Sequence, residues 1–148
     1  MSKNRGEATP RLPFFYGVLW VQGLFYFCTA AWPILSIRTF QLVTGPKTDH
    51  MLTGNEGDHW LVNTVAVLLL ASSLVYLTTA FRKTLSFEVV LLLILNAVAL
   101  TVIDVVYVGR DVIRPVYLLD AAVEVVFIVI WCIYLIYQKR EALHGKDM

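Results

Sequence analysis

Charge is what this sequence has little of. Only 16% of its 148 residues are Asp, Glu, Lys or Arg, against about 25% in an average soluble domain. That shortage, with 58% hydrophobic residues, excludes a disordered chain. Two cysteines are too few for a disulfide scaffold, and a net charge of +1 offers no basic surface to nucleic acid. Also missing are the motifs that announce an enzyme: there is no Walker A loop, no dinucleotide glycine cluster, no His-Glu-x-x-His and no Gly-x-Ser-x-Gly. What the chain has is long apolar runs. They make residues 1–148 a single integral membrane domain.

A helix needs about 20 apolar residues to cross a bilayer core. Four runs meet that requirement, at 14–37, 60–81, 86–108 and 115–137, with an outer loop at 38–59. The alternation of a membrane barrel is absent, so the expected fold is all-α, an antiparallel bundle of four transmembrane helices. Lys3, Arg5, Arg11, Arg82, Lys83, Lys139, Arg140 and Lys146 fall on one side; Arg38, Lys47, Arg110 and Arg114 fall on the other. Basic residues are retained on the cytoplasmic side. Both termini are therefore expected in the cytoplasm, as in a bacterial inner (plasma) membrane. Cys28-Thr29-Ala30 has the small residues of a secretory cleavage point, but the apolar stretch continues through Trp32 and Leu35. The reading is an uncleaved span. Cys28 and Cys132 lie at depths about 13 Å apart, too far for a disulfide, and are read as buried small apolar residues.

Short connections make the second, third and fourth spans antiparallel neighbours, and contact positions recur at spacings of 3 and 4. In the first span that spacing collects Phe15, Leu19, Gln22, Tyr26, Thr29, Pro33 and Ser36. In the second it runs through His59, Asn63, Ala66, Leu70, Ser73 and Leu77. The third gives Leu93, Asn96, Leu100, Ile103 and Tyr107, with Asp104 one step aside; the fourth gives Tyr117, Asp120, Glu124, Phe127, Trp131 and Tyr134. Gln22, Asn63, Ser73 and Asn96 are read first as interhelical hydrogen-bonding groups, each contributing about 0.6 kcal/mol.

The acids carry more information. Glu88, Asp104, Asp120 and Glu124 lie inside the spans, where no Lys or Arg is found. An acid such as Asp at mid-bilayer costs about 2.5–3.5 kcal/mol and is by default a functional candidate. Glu88 follows Ser86 and fits a helix start, beside the positive end of the helix dipole. Asp104 is within snorkelling reach of Arg110 or Arg114, so a salt bridge competes there with a site. Asp120 and Glu124, at i and i+4, share one helix face. Two acids that close do not both ionise in a low dielectric. The pair is expected to hold an exchangeable proton or to accept a cation, with His59, Asn63, Asp104, Tyr107 and Tyr117 around it. The plainer alternative is a protonated acid bonded to Asn96. The candidate binding set is Asp120, Glu124, Asp104, Asn96, Asn63 and Tyr117.

The outer loop carries Asp49-His50 and, nine residues on, Asp58-His59. Imidazole with carboxylate suits Zn, Ni or Mn, which makes His50, His59 and Asp58 weak candidate ligands. Their spacing matches no metal motif, and a solvated polar loop is the better reading. No cofactor is expected.

From Trp32-Pro33 through Thr44-Gly45-Pro46-Lys47-Thr48-Asp49, and again at Trp60-Leu61-Val62, the chain resembles small uncharacterised four-span bacterial membrane proteins. That resemblance covers about a quarter of the chain and implies no activity. It makes 51–59 an addition to the loop, which weakens the metal reading. Four spans with intramembrane acids also occur in small multidrug exporters and in sterol-isomerase-like proteins, but the chain has no motif of either.

The expected function is that of a binding or accessory subunit whose acidic site takes a proton, a cation or a small amphipathic ligand. One alternative is a small proton-coupled exporter of cationic compounds. Another is a lipid-modifying enzyme with Asp120 and Glu124 as acid and base. The expected partners are the lipid bilayer and either a second copy or another membrane protein.

Overall fold

The computed structural model describes residues 12–45 and 59–144. Five helices follow one another: α1 (Leu12–Leu35), α2 (Ile37–Thr44), α3 (His59–Arg82), α4 (Phe87–Gly109) and α5 (Tyr117–His144). All but α2 are long and apolar enough to cross a membrane, and the described residues form no strand. The protein is an all-α, multi-pass membrane protein. The long helices follow the expected spans closely, except that α5 continues beyond Tyr137 through Lys139 and Arg140 to His144.

The stretch expected to be loop from residue 38 onward begins instead with a helix. Pro33, inside α1, has no N–H to give to the carbonyl four residues back. Three residues later Ser36 leaves the helical region, at φ −155 and ψ 86, and α2 restarts from it. The amide of Phe40 donates to the Ser36 carbonyl at 3.1 Å. His50 and Asp58 lie outside the described residues.

Two tight turns set the antiparallel order, each with a non-glycine residue in the left-handed region. After α3, Lys83 has φ 54; its amide reaches the Ala80 carbonyl, and the amide of Thr84 reaches that of Thr79. After α4, Asp111 has φ 59, with Asp111 bonded to Val108 and Val112 to Tyr107 in the same pattern. This is the Schellman closure, which satisfies the last carbonyls of a helix and usually employs glycine. The Tyr16 hydroxyl of α1 donates to the Lys83 carbonyl at 2.6 Å.

The short connections make α3, α4 and α5 neighbours, and the structure adds a close pairing of α1 with α3. Backbones approach most closely between α1 and α3, and between α4 and α5, whereas α3 and α4 stand further apart. Small side chains explain the first pairing. Ala66, Ser73 and Ala80, seven apart on α3, are buried, as are Gly23 and Ala30 on α1. A Cβ on Gly23 would lie 2.9 Å from Leu77 Cδ2. Small residues let apolar helices approach closely enough for dispersion to hold them. The α3–α4 contact is made by longer side chains: Asn96 Nδ2 donates to Ser72 Oγ at 3.1 Å and to the Tyr76 hydroxyl at 2.7 Å. Tyr76 in turn donates to the Leu92 carbonyl at 3.3 Å.

Trp131, Tyr26, Tyr76, Leu19 and Leu93 are fully buried at the centre. The inward faces of α1 and α5 are those that the 3-and-4 spacing predicts: Phe15, Leu19, Gln22, Tyr26 and Pro33, then Glu124, Phe127, Trp131 and Tyr134, are buried. On α3, Ala66 and Ser73 are buried as expected, but Asn63 is exposed and Tyr76 lies in the core. On α4 the buried residues are Val90, Leu93, Ala97 and Asp104, while Ile103 and Tyr107 are exposed. Cys28 and Cys132 are not buried; both are free and exposed, on helix faces turned away from the core.

Candidate functional site

Residues from all five helices meet at the end of the bundle marked by α2. There they enclose a cavity of about 310 Å³ into which Asp104, Asp120 and Glu124 all face. Asp104 comes from the last turns of α4, and the other two from the first turns of α5. Antiparallel order brings these segments to one level. The remaining wall is mainly apolar, from Phe25 and Pro33 of α1, Leu61 and Val65 of α3 and Leu100 of α4, with hydroxyls from Tyr26, Thr29 and Tyr117. Among the described residues, no Lys, Arg or His lines it.

Each carboxyl is held differently. Glu124 is fully buried. Its Oε2 accepts a hydrogen bond from the Tyr26 hydroxyl at 3.0 Å, and its Oε1 has no hydrogen-bond partner among the described residues. Asp104 is 4% exposed, and its Oδ2 also has no partner. Its carboxyl lies beside that of Asp120. A carboxylate has no hydrogen to donate, so this contact is a hydrogen bond only when the two groups share a proton.

Asp120 is half-buried. With Tyr117, Phe25, Thr29 and Phe40 it also borders a second cavity, of about 330 Å³, between α1, α2 and α5.

A buried polar layer continues below Glu124. Trp131 Nε1 donates to Gln22 Oε1 at 2.7 Å, and Gln22 Nε2 is buried without a partner. The layer ends as a relay at Trp131, because an indole N–H donates but cannot accept.

Four of the six candidate binding residues, Asp104, Asp120, Glu124 and Tyr117, come together in the cavity. Asn96 does not; it ties α4 to α3 through Ser72 and Tyr76. Asn63 faces outward. The direct partner of Asp120 is Asp104 on the neighbouring helix, and Glu124 takes the tyrosine of α1. Arg114 does not pair with Asp104: its Nη1 donates to the Leu42 carbonyl at 2.9 Å and to that of Val43 at 3.5 Å. A cation at the last carbonyls of α2 also meets the negative end of that helix. His59 Nε2 lies 3.2 Å from Gln41 Oε1, another tie on α2. Glu88 sits in the first turn of α4, near Ser86, away from the cavity.

Among the described residues, no group of three His, Cys, Asp or Glu side chains is arranged to hold a metal ion.

Tyr26 and Phe40 were not among the sequence candidates for the site. Tyr26 was legible as an inward-facing residue, but nothing marked its bond to Glu124. Phe40 carried no signal without the helix it stands on. In comparisons with family models, curated proteins and solved structures, nothing matches this chain.

Proposed function

We propose that the protein is a membrane binding or accessory subunit whose acidic cavity takes a small amphipathic cation, with a proton as the occupant in its absence. The observation that carries this reading is the pair of buried acids, Asp104 and Glu124, each with an oxygen lacking a donor. Both line a largely apolar cavity that no basic side chain among the described residues borders. A buried acceptor without a donor costs about 1–3 kcal/mol. An ammonium group restores donors and compensates charge at the same time, through charge-assisted hydrogen bonds. The Phe25, Leu61, Val65 and Leu100 walls suit the apolar body of such a ligand.

The end of the polar layer at Trp131 favours binding over proton-coupled export, which needs exchange with both sides. With both termini cytoplasmic, as the basic residues indicate, the α2 end lies at the outer surface of the membrane. The partner served by such a subunit is a second copy or another membrane protein.

Calorimetric titration of the detergent-solubilised full chain with N-butylbenzylamine tests the reading. Saturable binding is expected, together with its loss in the Asp120→Asn/Glu124→Gln variant and a much weaker response to the uncharged ether of the same shape. Equal binding of the amine by a folded variant contradicts it.

A further inference from the structure

The two close helix pairs, α1 with α3 and α4 with α5, leave two seams between them. At the α2 end the α1–α5 seam is walled by Phe40, Val43 and Thr44. Arg114 fastens their helix by its last carbonyls.

The α3–α4 seam is different. Its side-chain hydrogen bonds run from Asn96 to Ser72 and Tyr76 and from Tyr76 to Leu92, below the level of the carboxyls. Above them the seam is bordered by Leu61, Val65 and Leu69 of α3 and by Leu100 and Ile103 of α4. These residues line the acidic cavity, and three of them also reach the outer surface of the bundle: Leu61 is 49% exposed, Val65 50% and Ile103 51%. One continuous apolar surface therefore leads from the outside of the bundle to Asp104, Asp120 and Glu124. In a multi-pass membrane protein the outside of the bundle faces the bilayer.

We infer that the ligand is a single-chain amphiphilic amine that enters from the bilayer through the α3–α4 seam. This inference rests on the binding reading above and adds the ligand class and the route. The ammonium group sits among the three carboxyls, and the chain lies along Leu61, Val65 and Ile103 and continues into the lipid. Charge selects the head group: a phosphate-bearing lipid would bring negative charge to three acids. The apolar doorway selects against a hydrated inorganic cation, which gains nothing from leucine and valine. A chain running from lipid into an apolar seam keeps its surroundings, so entry requires no transfer of methylenes through water.

The test is photolabelling of the full chain in phosphatidylcholine nanodiscs with dodecylamine carrying a mid-chain diazirine, followed by peptide mass spectrometry. The inference expects label on the peptides holding 61–69 and 100–103, lost on addition of excess unlabelled dodecylamine. Label that is competed away but falls on Val43, Val116 and Leu119 overturns the seam route and leaves the binding reading standing. Label that excess amine does not reduce, and that is equal in the Asp120→Asn/Glu124→Gln variant, overturns both.

Discussion

Tyr26 and Glu124 stand 98 residues apart in the chain and meet at 3.0 Å in the centre of the bundle. The bond joins α1 to α5, two helices whose backbones make little other contact. It also leaves the second oxygen of Glu124 buried and without a donor. Holding a carboxyl by one oxygen fixes its position and leaves the other buried without a hydrogen-bond donor among the described residues.

Replacing Tyr26 with Phe removes the only hydrogen-bond donor to Glu124 among the described residues while retaining the ring against Tyr76, 5.6 Å away between centroids. The expected loss of stability is about 1–3 kcal/mol, the range for an acceptor left unsatisfied, and exceeds the average of about 0.6 kcal/mol for a membrane hydrogen bond. Glu124→Gln retains a carbonyl oxygen for Tyr26 and is expected to be close to neutral. Equilibrium unfolding in mixed micelles measures both; a smaller loss for Tyr26→Phe than for Glu124→Gln would contradict the assignment.

Gly23 is where α1 comes closest to Leu77 of α3. Gly23→Val overfills that contact and is expected to destabilise by about 1–3 kcal/mol. Combining it with Leu77→Ala should recover at least about 0.5 kcal/mol of that loss, the lower end of coupling between touching residues. Strict additivity in the double-mutant cycle would show that the clash lies elsewhere.

Lys83 holds a left-handed conformation at φ 54 without glycine's freedom. That conformation costs an L-residue about 1–2 kcal/mol, while glycine gives back about 0.5–1 kcal/mol through its more flexible unfolded chain. Lys83→Gly is expected to raise the unfolding midpoint by a net gain of about 0.5–1 kcal/mol. The Tyr16 bond survives because it uses the Lys83 backbone carbonyl. A lower midpoint would mean that the lysine side chain stabilises the turn.

Arg114 donates to the carbonyls of Leu42 and Val43 at the end of α2. Arg114→Leu should release that end, and amides of α2 should exchange with deuterium faster while those at the centre of α3 keep their protection. The contact is exposed, so a global loss of no more than about 1 kcal/mol is expected. Unchanged exchange in α2 would show that the Trp32–Thr39 and Gln41–His59 contacts hold the helix without it.

The spans and the inward faces of α1 and α5 were legible because their polar and aromatic residues repeat at helical spacing through Gln22 and Tyr26, and through Glu124 and Trp131. On α4 the same reasoning chose the wrong neighbour of Asp104. It took Asn96 as an inward residue, which brings Ile103 and Tyr107 inside; Asn96 in fact stands at the α3 edge, bonded to Ser72 and Tyr76. An amide is an equally good signal for a helix edge and a helix core. Helix α2 was hidden because eight residues carrying Arg38, Thr39 and Gln41 resemble in composition the polar sequence that follows. Short connections made α3, α4 and α5 neighbours; the close approach of α1 to α3 was carried instead by the small-residue row Ala66, Ser73 and Ala80. Asp120 and Glu124 were singled out for chemistry that lipid penalises, a signal that survives errors in packing. Their contacts with Asp104 and Tyr26 are tertiary and appear in no spacing within one helix.

The most direct measurement of the central claim is native mass spectrometry of the gently extracted full chain after exposure to dodecylamine. The account predicts a one-to-one adduct of the amine on the wild-type protein, retained when loosely held phospholipid is stripped and lost in the folded Asp120→Asn/Glu124→Gln variant. An adduct of equal abundance on both proteins, or none on the wild type at saturating amine, would contradict it.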